Sequence, residues 1–131
     1  MATAAPQWAA LFPQFDTVFG YSDLGHIFVV NQATGEHGLL YPYDNGGKNY
    51  GYFASTTEFV DTIIRDDYVT RVIFLSHHVA EIRQLLGPLG PDEVYIPVPY
   101  PFLGGTGEPG TYEIGNYWVF LDVLAGMMFG G

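Results

Sequence analysis

The chain has 131 residues and no cysteine, and its 14 acidic residues against four Lys and Arg give a formal net charge of −10. This charge argues against a nucleic-acid or anionic-membrane partner, because both are bound through clustered Lys and Arg. Disulfides, thiolate zinc sites and cysteine nucleophiles are excluded. No segment approaches the roughly 18 consecutive apolar residues of a membrane span, and residues 1–6 lack the features of a secretory signal. We therefore expect one folded domain over residues 1–131, located in the cytoplasm.

The chain up to residue 54 predicts a short start followed by an antiparallel meander. Residues 1–14 favour a frayed or short helical start, with Trp8 and Phe12 at helical spacing. After them, runs rich in β-branched and aromatic residues alternate with turn residues, which is typical of strands. The predicted strands are 15–21, 25–31, 36–43 and 48–54. Residues 44–47, Asp-Asn-Gly-Gly, give the clearest hairpin signal, since Asn and Gly tolerate positive φ.

Two helices are predicted after the meander. Ser55 and Glu58 form a capping box, which begins a helix that reaches Arg65. A longer helix is predicted over 70–86, where apolar residues recur at spacings of three and four, and Gly87 ends it. The order of strands before helices predicts an α+β single domain, in which a mainly antiparallel sheet packs against two or three helices.

The last third of the chain is less regular in pattern. Residues 88–110 are dense in Pro and Gly and predict irregular structure, with one short strand around 94–98. Residues 112–128 are apolar enough for a buried strand or a buried helix, and the sequence leaves both open.

Three patterns resemble chemical sites, and each favours a simpler interpretation. His77, His78 and Glu81 could contribute to a metal site, but a transition metal needs three or four ligands and no second group of ligands follows. The Gly-rich run at 104–110 lacks the Gly-Lys-Ser/Thr ending of a phosphate loop, and Ser76 lies within a helix instead of on a strained turn. We predict no enzyme activity, no catalytic residue, no metal and no cofactor; an enzyme or metal protein built on the histidines is the least favoured hypothesis.

A protein-binding surface is the function that the composition favours. A basic protein partner is attracted by net negative charge, and tyrosines provide large, stiff contact area with a polar tip. Tyr43 and Tyr50, which flank the hairpin turn, are the candidate anchors, although cross-strand aromatic pairing also accounts for such tyrosines. The candidate partner-binding carboxylates, chosen from predicted loops, are Asp44, Asp66, Asp67, Glu108 and Glu113.

Residues 86–105 resemble the C-terminal domain of the type VI secretion DNase-immunity family. The matching elements are Leu-Gly-Pro-Leu at 86–89, Asp-Glu-Val-Tyr at 92–95, Val-Pro at 98–99 and Leu-Gly-Gly at 103–105. The segment 19–60 is similar, more loosely, to the SUKH superfamily, whose members are mostly immunity proteins. Both resemblances imply a cytoplasmic immunity protein that binds and occludes a bacterial secreted toxin, for which we favour a basic nuclease. The alternative is a non-catalytic structural or adaptor module, or a homo-oligomeric scaffold.

Overall fold

The computed structural model describes Trp8, residues 12–43 and residues 46–128. The main sheet has four antiparallel strands in the order in which they follow along the chain. They are β1 (Thr17–Tyr21), β2 (Ile27–Val30), β3 (Glu36–Tyr41) and β4 (Gly46–Tyr52). The predicted meander is therefore confirmed, with strand bounds within a few residues of the expectation.

The turn between β2 and β3 is formed by local hydrogen bonds that its sequence provides. Asn31 Oδ1 accepts hydrogen bonds from the amides of Ala33 and Thr34, at 3.0 and 3.1 Å. Gly35 has a φ of 83°, and a Cβ there would lie 2.9 Å from the carbonyl oxygen of Phe53, so glycine fits best. The turn between β3 and β4 contains Asp44 and Asn45, which lie outside the described residues.

The first helix begins where the capping box predicts. Ser55 Oγ accepts a hydrogen bond from the Glu58 amide at 3.1 Å, and α1 (Thr56–Phe59) follows. The helix continues as a π-helical turn (Val60–Ile64) and ends at Arg65, as predicted.

The prediction of one helix over 70–86 was wrong. The structure has a separate π-helical turn (Val69–Ile73), and α2 (Ser76–Leu86) begins after Leu75, whose φ of 53° is left-handed. Phe74 explains the break, because its ring packs onto Phe28 in β2 and onto His26 just before β2. The ring centroids are 5.6 and 5.3 Å away. This contact turns the chain between two segments that share one helical periodicity.

The last third contains a second sheet and a third helix. β5 (Glu93–Pro97) and β6 (Tyr112–Asn116) pair antiparallel, and α3 (Tyr117–Met128) follows β6 directly. Residues 112–128, left open by the sequence, are thus a strand and then a helix. None of the helices in the described part of the chain is long and apolar enough to cross a membrane.

The main sheet is buried on both faces. One face carries Ile27 and Leu40, which share a core cluster with Leu124 of α3. On the other face, Phe59 stacks on the buried ring of His37, with centroids 5.0 Å apart. A second cluster joins α2 to β5; its members are Leu24, Val79, Ile82 and Tyr95. The chain is an α+β single domain, as predicted.

Candidate protein-binding surface

The first half of the 86–105 motif fastens α2, β5 and α3 together. The Tyr95 hydroxyl donates a hydrogen bond to the Gly87 carbonyl oxygen at 2.5 Å, which ties β5 to the end of α2. The Asp92 carbonyl oxygen accepts from the Tyr117 amide at 2.7 Å, and its carboxylate accepts from Trp118 Nε1 at 3.1 Å. These motif residues therefore hold the scaffold.

The second half of the motif forms a loop that presents apolar side chains to solvent. Gly105 closes this loop, because a Cβ at that position would lie 2.0 Å from the carbonyl oxygen of Pro99. The closed loop leaves Val98, Phe102 and Leu103 exposed, with 44%, 43% and 54% of their surface accessible. Exposed apolar residues that lie close together are a feature of binding surfaces.

We name this region the proline-loop surface and define it as Ile96 to Leu103 together with Glu113 to Gly115. It contains an open groove of about 330 Å³ between the loop and β6. Glu113, which lies opposite Ile96 in the strand register, is the only charged residue among the described residues that line the groove. The surface therefore combines an apolar centre with a carboxylate.

Glu108 lies in the segment that connects the proline loop to β6. It precedes the 3₁₀ turn Pro109–Thr111, and the Thr111 carbonyl oxygen accepts a hydrogen bond from the Val98 amide at 3.0 Å. The carboxylates of Glu108 and Glu113 are both exposed, and neither makes a hydrogen bond or an ion pair with another described residue. Two of the predicted carboxylates are thus exposed and make no hydrogen bond or ion pair with a described residue.

Asp66 and Asp67 lie elsewhere and have local partners. Asp66 Oδ1 accepts a hydrogen bond from the Val69 amide at 3.1 Å and begins the π-helical turn, while Asp67 pairs with Arg71 at 3.0 Å. Among the described residues, no hydrogen bond or ion pair connects them with Glu108. Asp44 lies outside the described residues.

The two predicted tyrosine anchors are partly buried in the fold. Tyr43 packs against Phe120 and Tyr100, with ring centroids 5.9 and 6.0 Å away, and burial raises its pKa. Tyr50 contacts Phe59 at 5.9 Å, and burial together with the nearby Tyr41 raises the pKa of Tyr50. Much of their contact area is therefore used inside the molecule.

The described cations are all engaged, which leaves the surface charge negative. Each arginine pairs with an aspartate: Arg65 with Asp61 at 3.7 Å, Arg71 with Asp67 at 3.0 Å, and Arg83 with Asp23 at 3.0 Å. Lys48 lies over the ring of Tyr50, with its Nζ 4.8 Å from the centroid. A basic partner would therefore meet little repulsion from this protein.

In the described part of the chain, the histidines of α2 do not lie together with further metal-ligating residues. His77 is exposed, and His78 Nε2 lies 3.4 Å from the Tyr112 hydroxyl. The described residues contain no group of three or more His, Asp or Glu that could hold a metal ion.

The structure does place one serine beside a histidine that the sequence analysis missed. Ser22 Oγ lies 2.7 Å from His26 Nδ1, and the same oxygen accepts a hydrogen bond from the His26 amide at 3.0 Å. The pair therefore closes the β1–β2 turn. Among the described residues, no carboxylate hydrogen-bonds to the other ring nitrogen, so the orienting acid of a catalytic triad is not present there.

The chain is an α+β domain with a partly apolar surface that carries exposed carboxylates. Neither protein-family models nor curated proteins match the sequence. The function is therefore argued from this surface and from the sequence motif.

Proposed function

We propose that this protein is an immunity protein that binds a bacterial secreted toxin, a basic nuclease, and blocks its substrate-binding site. The observation that carries the proposal is the pair of unpartnered carboxylates, Glu108 and Glu113, beside the exposed apolar loop. A nuclease binds the phosphates of its substrate through Lys and Arg. Carboxylates placed over such a cleft take the positions of those phosphates and occlude it.

The composition of the proline-loop surface fits a protein partner. Interfaces have an apolar core surrounded by polar and charged groups. Phe102 and Leu103 supply exposed apolar area, and Glu113 supplies charge at its border. The net charge of −10 adds a long-range attraction that speeds the encounter with a basic protein.

The motif at 86–105 supports the same class of protein. The type VI secretion DNase-immunity family, which it resembles, acts against secreted nucleases, and the SUKH superfamily consists mostly of immunity proteins. In this chain the motif residues Tyr95 and Asp92 connect the helices to β5, so the motif is informative about the fold. The identity of the toxin depends on the exposed residues around it.

A homo-oligomeric scaffold is the second candidate, because α3 exposes an apolar stripe. Val119, Val123 and Met127 follow one another at intervals of four residues, and each is about half exposed. Such residues lie on one face of a helix and can pack against a second copy. Light scattering of the purified protein decides this candidate: a monomer at high micromolar concentration excludes it.

Co-expression with the toxin encoded beside this gene tests the proposed function. Cells that make the toxin alone should die, and cells that also make this protein should grow. Glu108→Lys/Glu113→Lys should abolish the rescue, since it reverses both unpartnered carboxylates. Glu58→Lys/Glu81→Lys is the matched control, because it changes the net charge equally at exposed carboxylates on α1 and α2.

Binding kinetics then separate a role at the interface from a general charge effect. Relative to the control, the Glu108→Lys/Glu113→Lys protein should associate with the toxin more slowly, on the order of tenfold, and with a weaker dependence on salt. Equal rescue and equal rates for the two variants would show that the proline-loop surface does not bind the toxin. Absence of binding by the wild-type protein would refute the immunity function itself.

A further inference from the structure

In the described part of the chain, β6 pairs with β5 alone and so forms an edge of the second sheet. Hydrogen bonds between antiparallel strands join alternate residue pairs, so two bonds of known position fix the direction of every backbone group between them. At one end of this ladder, the Val98 amide donates to the Thr111 carbonyl oxygen at 3.0 Å. At the other end, the Tyr117 amide donates to the Asp92 carbonyl oxygen at 2.7 Å, and the register between the two bonds has no shift.

The alternation leaves the backbone of Ile114 pointing away from β5. Glu113 and Gly115 hold the bonds to β5, whereas the Ile114 N–H and C=O, the Tyr112 C=O and the Asn116 N–H face the free edge. In the described part of the chain, the backbone groups of Ile114 make no hydrogen bond. Buried backbone groups are almost always paired, so unpaired groups are open to water. The edge of β6 therefore offers donors and acceptors to an added strand.

The other edge of the second sheet is already used by the protein. The Tyr95 amide of β5 donates to the Asp23 carbonyl oxygen at 2.9 Å. Pro97, two residues further along β5, has no N–H to donate. An added strand therefore fits at β6 and not at β5.

The charge beside the free edge favours a basic strand. Glu113 is exposed and makes no hydrogen bond or ion pair with a described residue. Side chains directly opposite each other on neighbouring antiparallel strands lie about 4.5–5.5 Å apart, so a Lys or Arg of an added strand can pair with Glu113. A second copy of this chain would instead bring another Glu113 to the same edge, together with a second net charge of −10.

The side chains of an added strand would alternate between two environments. Glu113 pairs with Ile96, and Gly115 approaches Ile96 Cδ1, so side chains opposite Glu113 and Gly115 lie on the face that carries the proline-loop groove. The side chain opposite Ile114 lies on the other face, where Ile114 packs against the cluster that joins α2 to β5. The two faces therefore select for a basic and an apolar side chain in turn.

We propose that a basic protein partner docks by adding one extended segment antiparallel to β6, with main-chain hydrogen bonds to Ile114 and a Lys or Arg opposite Glu113. Strand addition of this kind takes affinity from the main chain and specificity from alternate side chains. The proposal rests on the proposed function only for the identity of the partner, which is the toxin.

Three capped peptides of alternating Val and Lys, about seven residues long and equal in charge, test the main-chain contacts on the wild-type protein. One is unmodified, one carries N-methyl groups on two of its Val residues, and one carries them on two of its Lys residues. With Lys opposite Glu113, the Val N–H groups face β6. Methylation of Val should therefore weaken binding on the order of tenfold or more, and methylation of Lys should change it little. No binding of the unmodified peptide, or equal binding of the two methylated peptides, would overturn the proposal.

Amide hydrogen exchange locates the added strand. The amides of Ile114 and Asn116 should exchange quickly in the free protein and become protected when the unmodified peptide binds. The amides of Glu113 and Gly115, which are bonded to β5 in both states, are the internal controls. Bound peptide with unchanged exchange at Ile114 would contradict strand addition at β6.

A charge variant tests the position assigned to the basic side chain. Glu113→Gln should weaken binding of the unmodified peptide about three- to tenfold, whereas Glu81→Gln, at an exposed carboxylate of α2, should leave it nearly unchanged. Equal effects of the two variants would show that only the net charge matters and would overturn the pairing with Glu113.

The complex with the toxin separates strand addition from the proposed function. Protection of the Ile114 amide on toxin binding supports both. Toxin binding without this protection refutes strand addition and leaves the immunity function standing. Peptide binding at β6 in a protein that does not bind the toxin refutes the immunity function and supports a site for basic strands. Protection that grows with the concentration of the protein alone would identify a second copy as the occupant and overturn the proposal.

Discussion

At the scale of single residues, Asp92 shows how one side chain joins two distant elements. Its backbone has a φ of 60°, a conformation that Asp tolerates better than most residues. From that position its carbonyl oxygen and its carboxylate hold Tyr117 and Trp118, the first residues of α3. The motif residue therefore determines where the last helix starts.

Replacement of Asp92 should be costly for stability. Asp92→Ala loses the acceptor for Trp118 and places alanine at positive φ, so the free energy of unfolding should fall by about 2–3 kcal/mol. Asp92→Asn keeps an acceptor for Trp118 and tolerates positive φ, so it should cost less than about 1 kcal/mol. Urea unfolding measures both, and equal losses would show that neither the Trp118 hydrogen bond nor the tolerance of positive φ accounts for the cost.

The buried imidazole of His26 predicts a pH dependence of stability. Above pH 6.5 the ring is neutral in both states; below it the unfolded chain takes up a proton, which the folded protein resists until its pKa of about 4. Stability is therefore lost as the pH falls through this window, by roughly 3 kcal/mol for this group. His26→Asn, which keeps an acceptor near Ser22, should lose less between pH 7 and 4. Identical pH profiles for the two proteins would contradict the low pKa.

At the scale of elements, the break between the second π-helical turn and α2 is the main departure from a regular helix. Leu75 has no glycine-like freedom, so its left-handed conformation is held by the packing of Phe74 on the sheet. Such a conformation costs roughly 1–2 kcal/mol for an L-residue.

Glycine at this break should stabilise the protein. Leu75→Gly removes the backbone penalty and, after the larger entropy of unfolded glycine is subtracted, should raise the free energy of unfolding by about 0.5–1 kcal/mol. Leu85→Gly, at an exposed position inside α2, should lower it by about 1 kcal/mol. Chemical denaturation of both variants checks the opposite signs. A loss of stability in both variants would mean that the packing of the Leu75 side chain contributes more than its backbone strain costs.

Local signals in the sequence predicted the elements that depend on local contacts. The Ser55 cap and the meander were found because their hydrogen bonds join residues close in sequence. The break at Leu75 was not found, because Val72 and Val79 keep a helical spacing of seven residues across it. Asn116 was an overlooked signal: its side chain accepts from the Val119 amide at 3.0 Å and caps α3, which could have divided the 112–128 segment.

The candidate surface was predictable only in part. Glu108 and Glu113 were chosen as exposed carboxylates in loops; the structure shows both exposed, but it places only Glu108 in a loop and Glu113 in β6. Phe102 and Leu103 were not chosen, since exposure of an apolar side chain depends on how the loop folds over β5 and β6. Whether these residues bind a partner remains a prediction.

At the scale of the whole molecule, charge imbalance is the dominant electrostatic feature. The three arginine–aspartate pairs are exposed, and such pairs contribute about 0–1 kcal/mol each. They cannot offset the repulsion among the 14 acidic residues, because the chain has only four Lys and Arg side chains.

Salt should therefore stabilise the protein. Raising NaCl from about 0.01 M to about 0.1 M shortens the screening length from about 30 to about 10 Å, which weakens the repulsion. We expect the melting temperature to rise by a few degrees. The rise should be smaller for Glu58→Gln/Glu81→Gln, which removes two charges. A melting temperature that falls with salt would mean that the ion pairs dominate.

The position of α3 has a consequence for synthesis of the protein. The strands of the main sheet are complete at Tyr52, but Leu124 of α3, which covers one of its faces, follows more than 70 residues later. At about 5–20 residues per second, a ribosome needs several seconds to add that stretch. During this interval the nascent sheet carries Ile27 and Leu40 on a face that α3 does not yet cover. Chaperone protection at that stage, more than the stability of the finished fold, should determine how much protein the cell obtains.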